Sequence, residues 1–204
     1  MDNRIFKKIM VTAMTAVMLF AFTGCGKGGD VSGLDRSSIV IEKDGKIVST
    51  IIEDFAENYY DTAELQEMTE NEINAFIVSK GEGAAEFDSL EKDGSKVKMV
   101  IKFGNAEDYS EFNSESLSYV TISDAIITGK IDVNNLLDVN GAPADAEKAA
   151  SLVNEHVVIT GCKNIVAFPY KIKYVSPGVK IVDKYMVDLS ETADGSTSYI
   201  VLNK

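Results

Sequence analysis

The chain has two cysteines, one histidine, three prolines and no tryptophan in 204 residues. These shortages remove whole classes of chemistry. Cys25 and Cys162 cannot make a disulfide framework, and with His156 as the sole imidazole there is no Cys/His zinc cluster. On one continuous strand, His156 and Cys162 would stand about 20 Å apart at 3.3 Å per residue, whereas a base must come within about 3.2 Å of its nucleophile. No Gly-x-Ser-x-Gly is present, and Gly-Lys-Gly-Gly at 26–29 lacks the strand and helix of a phosphate-binding loop. Bases are also scarce, with 20 Lys and Arg against 32 Asp and Glu for a net charge of −12. Such a chain repels phosphate backbones, so no nucleic-acid partner is expected.

The longest stretch without charge, Ile9 to Gly26, contains IMVTAMTAVMLFAFTGC from Ile9 to Cys25, behind Arg4, Lys7 and Lys8. A helix over Ile9–Phe22 rises about 21 Å at 1.5 Å per residue, short of a hydrocarbon core of about 30 Å. Positive residues followed by a short apolar run are the pattern of an export signal. Its end, Phe22-Thr23-Gly24-Cys25, resembles the lipobox of bacterial lipoproteins, with Phe22 where that family usually has Leu. The resemblance covers residues 1–25 only. It implies a signal peptide over 1–24, a diacylglyceryl group on Cys25, and a cell-membrane location on the extracytoplasmic face. Loss of 1–24 takes three bases and one acid from the chain, leaving a net charge of −14.

Residues 25–37 contain the lipidated Cys and a Gly/Ser-rich stretch that reads as a flexible tether, about 20 Å in root-mean-square reach. Residues 38–204 read as a single α+β domain with a largely antiparallel sheet, a division near Gly129 being the alternative. Lys43-Asp44-Gly45-Lys46 predicts a hairpin between Ile39–Glu42 and Ile47–Phe55, because Asp-Gly suits a type I′ turn. A long amphipathic helix over about 61–80 is framed by Asp61, Glu64 and Gly81, with Leu65, Met68, Ile73, Phe76 and Ile77 as its apolar stripe. Glu91-Lys92-Asp93-Gly94 repeats the wording of the first hairpin, and Val97, Met99, Ile101 and Phe103 alternate with lysines as a half-buried strand does. A short helical turn over Ala106–Phe112, a strand within Leu117–Ile127 and a second helix over about 143–154 follow. Four strands close the chain: His156–Thr160, Ile165–Val175, Val179–Leu189 and Ser198–Leu202.

Two stretches bear on partners. Leu136–Glu147 matches a calcium loop at Asp138, Asn140, Gly141 and Glu147 but has Leu where the first carboxylate belongs. It reads as a loop, and no metal or cofactor is expected. Between residues 163 and 184, five lysines face only Asp183. Phe168, Tyr170, Ile172 and Tyr174 alternate with Lys171 and Lys173, giving one aromatic and one basic strand face. Lys171, Lys173, Lys180 and Lys184 are thus the candidate interaction surface, for an anionic envelope polymer or a protein partner. The edge-guard role of lysine is the alternative.

The expectation is a membrane-anchored extracytoplasmic lipoprotein with a non-catalytic binding domain. The rivals are an envelope hydrolase using carboxylates gathered by the fold, and a structural or assembly lipoprotein. In cells fed a fatty-acid analogue, the Cys25→Ser variant should lose both label and membrane association. Equal labelling of variant and parent would remove the anchor.

Overall fold

The computed structural model describes residues 28–57, 60–145, 147–148 and 151–204, and places twelve strands and three helices among them. The fold is α+β and dominated by two mostly antiparallel sheets. One sheet has seven strands in the order β10-β11-β8-β1-β2-β4-β3, the other five in the order β5-β7-β12-β9-β6. In the first sheet, β1 is Ser38–Ile41, β2 Ile47–Asp54, β3 Ala85–Asp93, β4 Lys96–Phe103, β8 Ile165–Ala167, β10 Lys180–Asp183 and β11 Met186–Asp188. The second contains β5 Leu117–Thr121, β6 Leu137–Asp138, β7 His156–Thr160, β9 Lys171–Val175 and β12 Ser198–Asn203.

Both sheets contribute to one core. Ile39, Ile47, Val97, Met99 and Ile101 from the first meet Val158, Ile172, Ile200 and Leu202 from the second. Helix α1, Thr62–Lys80, covers the β4–β3 side of the same inner face. Its Thr69 hydroxyl donates to the Leu65 carbonyl at 2.7 Å and meets the Met99 sulfur at 3.4 Å. The buried stripe is therefore Leu65, Thr69 and Ile73, four residues apart, and Met68 lies beside it rather than in it. Helix α2, Ala106–Asn113, closes that end with Phe112 edge-on to Phe76 and tilted against Phe103. The outer face of the second sheet is covered by helix α3, Ile122–Ile127, and by Leu136.

The α1 boundaries follow local chemistry. The Asp61 carboxylate accepts the Ala63 and Glu64 amides, and Gly81 ends the helix with φ at 110°. The two Asp-Gly turns depart from the expected type I′. In the first, Gly45 alone has positive φ, and Glu42 and Lys46 close a three-residue loop. In the second, Asp93 stays in β3 and pairs with Lys96, so the loop is Gly94-Ser95 with Gly94 at φ 56°. That is where a type II′ turn puts its glycine.

Several expected elements divide. Leu117–Ile127 is a strand followed by a helix, with Thr121 turning the chain by accepting the Asp124 amide. The expected strand Ile165–Val175 is two strands in different sheets, β8 and β9, because Pro169 interrupts it. Val179–Leu189 is the hairpin β10–β11. Ile172 and Tyr174 do not share a face either. Lys173 is an extra residue opposite Val201/Leu202, so Ile172 enters the main core while Tyr174 enters the outer cluster. A bulge of this kind reverses alternation. Within the second expected helix, about 143–154, Glu147 and Lys148 are helical and the Asp145 carboxylate accepts their amides, while Pro143 bridges to Leu137 and 151–154 are not helical. Residues 146, 149 and 150 lie outside the described residues, as do 1–27 with the signal and Cys25.

The stretch read as a free spacer packs from Gly28 onward. The Gly29 amide donates to the Phe168 carbonyl at 3.3 Å, and Val31 and Leu34 cover Val40, Ile165, Ala167 and Met186 on the outer face of the seven-stranded sheet. Among the described helices none is long and apolar enough to cross a membrane. Asp61→Ala should cost about 1 kcal/mol through loss of the α1 cap. Urea unfolding should show a lower midpoint with an unchanged slope.

Candidate functional site

β1 and β8 run parallel, β2 and β11 run against them, and β4, antiparallel to β2, runs with them. The sheet therefore has two distinct poles. At the pole where β1 and β8 begin, a cleft of 330 Å³ is lined by Asp35, Arg36, Ser37, Ile52, Glu53, Asp54, Lys96, Lys163 and Asn164. Its size is that of a small-ligand pocket. Four separate stretches of chain build it. Ser37 ties two of them by donating its hydroxyl to the Ile52 carbonyl at 3.2 Å and accepting the Ile52 amide at 2.9 Å.

The cations of the cleft are held by acids of the fold. Arg36 binds Asp188 through two hydrogen bonds, at 2.8 and 3.2 Å. Lys163 donates to the Thr192 carbonyl and pairs with Asp194 at 3.3 Å, and Lys96 stands 3.9 Å from Asp35. The Arg36 guanidinium, helped by the Ser190 amide and hydroxyl, holds the Asp188 carboxyl far below the usual carboxylate range. Glu53 has no ion-pair partner among the described residues. It follows Ile47, Ser49 and Ile51 along the inward face of β2, and partial burial raises its pKa. Counting Asp188 and Asp194, five carboxylates face three cations, so the cleft is net negative.

The opposite pole holds an aromatic stack. His156 lies 4.6 Å from the Tyr119 ring and 6.2 Å from the Tyr170 ring, both nearly parallel. Lys43 and Lys204 stand 6.0 and 5.9 Å from the Tyr170 centroid. The Tyr119 hydroxyl and His156 Nδ1 are buried without hydrogen-bond partners. Burial pushes the Tyr119 phenol up to about 12, while burial and the nearby Lys204 ammonium lower the His156 pKa.

The sequence candidates are scattered among these features. Cys162 is buried beside Tyr109 and Glu115, and burial pushes its thiol up to about 11. A neutral thiol there is no nucleophile, and the imidazole stands in the other pole's stack. Leu136 is buried in the outer cluster, and the Asp138 carboxylate accepts the Asn140 and Ala142 amides, so the 136–147 loop closes on itself. Lys171 and Lys184 come together at the aromatic pole, where the Ile172 amide donates to the Lys184 carbonyl at 2.9 Å. Lys173 occupies the bulge with its ammonium over Tyr174, and Lys180 pairs in register with Asp188 at the cleft pole. Neither the cleft nor the stack was found by sequence reasoning. The one signal was local: Asp35-Arg36 and Glu53-Asp54 are charged pairs flanking apolar strands.

No family model matches the chain, and it matches no curated protein and no solved structure.

The Arg36–Asp188 pair carries a pH dependence. A carboxyl whose folded pKa is depressed stabilises the fold above its unfolded pKa of about 3.9, and that stability disappears as pH falls toward the folded value. Asp188→Asn should therefore lower stability by about 1–2 kcal/mol at pH 7, a range reduced for the half-exposed Arg36. Thermal melts from pH 7 to 2 should show a smaller acid-induced loss in the variant than in the parent.

Proposed function

We propose that the chain is an exported protein, anchored by lipid on Cys25 at the outer face of the membrane, whose folded residues bind a ligand without transforming it. The lipobox-like Phe22-Thr23-Gly24-Cys25 supports the anchor. The observation that carries the binding half is the pairing state of the cleft. Arg36, Lys96 and Lys163 each have an acid of the fold beside them, which among the described residues leaves Glu53 and the exposed Asp54 without a cation, and of these two Glu53 is the half-buried one. The ligand chemistry that suits this is a small molecule or peptide end with an ammonium or guanidinium group. A carboxylate that meets such a group forms a charge-assisted hydrogen bond of about 1.5–3 kcal/mol.

A hydrolase is the second reading, favoured by the gathering of Asp35, Glu53 and Asp54 in one cleft, with Glu53 shifted toward the protonated form. Two carboxyl groups in unlike surroundings are the raw material of acid–base catalysis. The readings separate in one experiment. Trilysine, titrated calorimetrically into the purified protein, should bind, and Glu53→Gln should weaken it by about tenfold or more, equivalent to about 1.4 kcal/mol. Equal affinity in the variant would remove Glu53 from recognition. Release of sugar or peptide fragments from isolated cell envelopes, lost in Glu53→Gln, would establish the hydrolase instead.

A further inference from the structure

A side chain at Gly29 would force its surroundings to shift, and one at Gly28 would crowd them. A Cβ on Gly29 would lie 2.9 Å from the Ala167 Cβ and 3.0 Å from the Tyr185 carbonyl oxygen, and one on Gly28 would lie 3.1 Å from the Phe168 carbonyl oxygen. The backbone is thus pressed onto the pole where β8 ends and β11 begins. Nine residues take it across the sheet: Val31 and Leu34 pack on the outer face, and Arg36 reaches Asp188 at the cleft pole. The segment is a strap joining the two poles.

Cys25 precedes Gly28 by three residues, a reach of at most about 11 Å at 3.6 Å each. A lipid on Cys25 would therefore hold one pole close to the head groups. That pole carries Lys43, Lys171, Lys184 and Lys204, none with a carboxylate ion-pair partner among the described residues. Lys184 instead stands 5.3 Å from the Tyr185 ring centroid, as Lys43 and Lys204 stand near Tyr170. Of the acids beside them, Asp183 accepts the Tyr185 amide, Glu155 accepts the Lys204 amide and Asp44 pairs with Lys46 at 3.1 Å, while Glu42 stands exposed next to Lys43. Lysines and tyrosines together suit a membrane interface, where the cation meets lipid phosphate and the ring sits at head-group depth. The cleft lies at the far end of β2, where Ile47 to Asp54 spans about 24 Å at 3.4 Å per residue.

We propose that the strap fixes the domain's pose on its own membrane, with the Lys43–Tyr170–Lys184–Lys204 pole against anionic lipid and the cleft opening away. This rests on the anchoring reading above. The occupant is the lipid surface that holds Cys25, because the short reach leaves no room to present this pole elsewhere.

The test uses the full chain, purified from membranes and reconstituted in vesicles of phosphatidylcholine and phosphatidylglycerol containing a head-group nitroxide lipid. One fluorophore is attached at Asn203→Cys, on the lysine pole, or at Ser95→Cys, on the cleft pole. Buried Cys162 stays unlabelled. The Asn203 probe should be quenched several-fold more than the Ser95 probe. Gly29→Val should bring the ratio toward one, whereas Gly33→Val, whose Cβ would meet nothing within 4 Å, should preserve it. Equal quenching in the parent, or a ratio unchanged by Gly29→Val, overturns the pose. A ratio just as large on pure phosphatidylcholine overturns the lysine–lipid contact. If cells leave Cys25 unacylated, the anchor reading fails by itself. The same ratio, read after coupling Cys25 to a maleimide lipid, then decides the pose independently.

Discussion

Ser38, Ile39 and Val40 run beside Ile165, Val166 and Ala167 in the same direction, and much of the molecule's geometry depends on this one pairing. It is the only parallel ladder among the described residues, and it joins the first strand to the last third of the chain. Parallel strands end together, so the turn after β1 and the bend at Phe168-Pro169 are forced to one pole, and Arg36 and Asn164 to the other. β11, antiparallel to β8, then brings Asp188 to Arg36. The cleft, the ion pair at its rim and the docked N-terminal segment are all consequences of that register.

Features specified by neighbours in sequence were legible. Asp61 and Gly81 bracket α1 because an N-cap carboxylate and a positive-φ glycine act within a few residues of themselves. β4 was legible because Val97, Met99, Ile101 and Phe103 hold one face of the strand throughout, with Val100 the single apolar break in the lysine face. What failed required knowledge of the partner strand. Alternation from Phe168 to Tyr174 reads as one strand, yet the chain changes sheets at Pro169, and the bulge at Lys173 sends Ile172 and Tyr174 to opposite faces. The two Asp-Gly turns share four residues but differ in geometry, because strand register rather than turn composition decides which residues stay paired.

The candidate site was scarcely legible for the same reason. Asp35, Glu53, Lys96 and Lys163 come from four stretches of chain, and no spacing in sequence announces their convergence. The lysine cluster was half legible: Lys171 and Lys184 meet because β9 starts beside the β10–β11 turn. Lys180 is carried to the other end of that hairpin, three residues and about 10 Å along the strand.

The distance in sequence between β1 and β8 also sets an order of events. A chain that emerges N-terminus first presents β1 and its hairpin partner early, but Ile165 follows Ser38 by 127 residues. Until then one edge of β1 has no neighbour, and Val40 has neither β8 beside it nor Met186 in its cluster. Bare edges of this kind recruit strands from other molecules. The last third of the chain thus has a protective role in biogenesis, since its arrival converts an adhesive edge into the interior of a sheet.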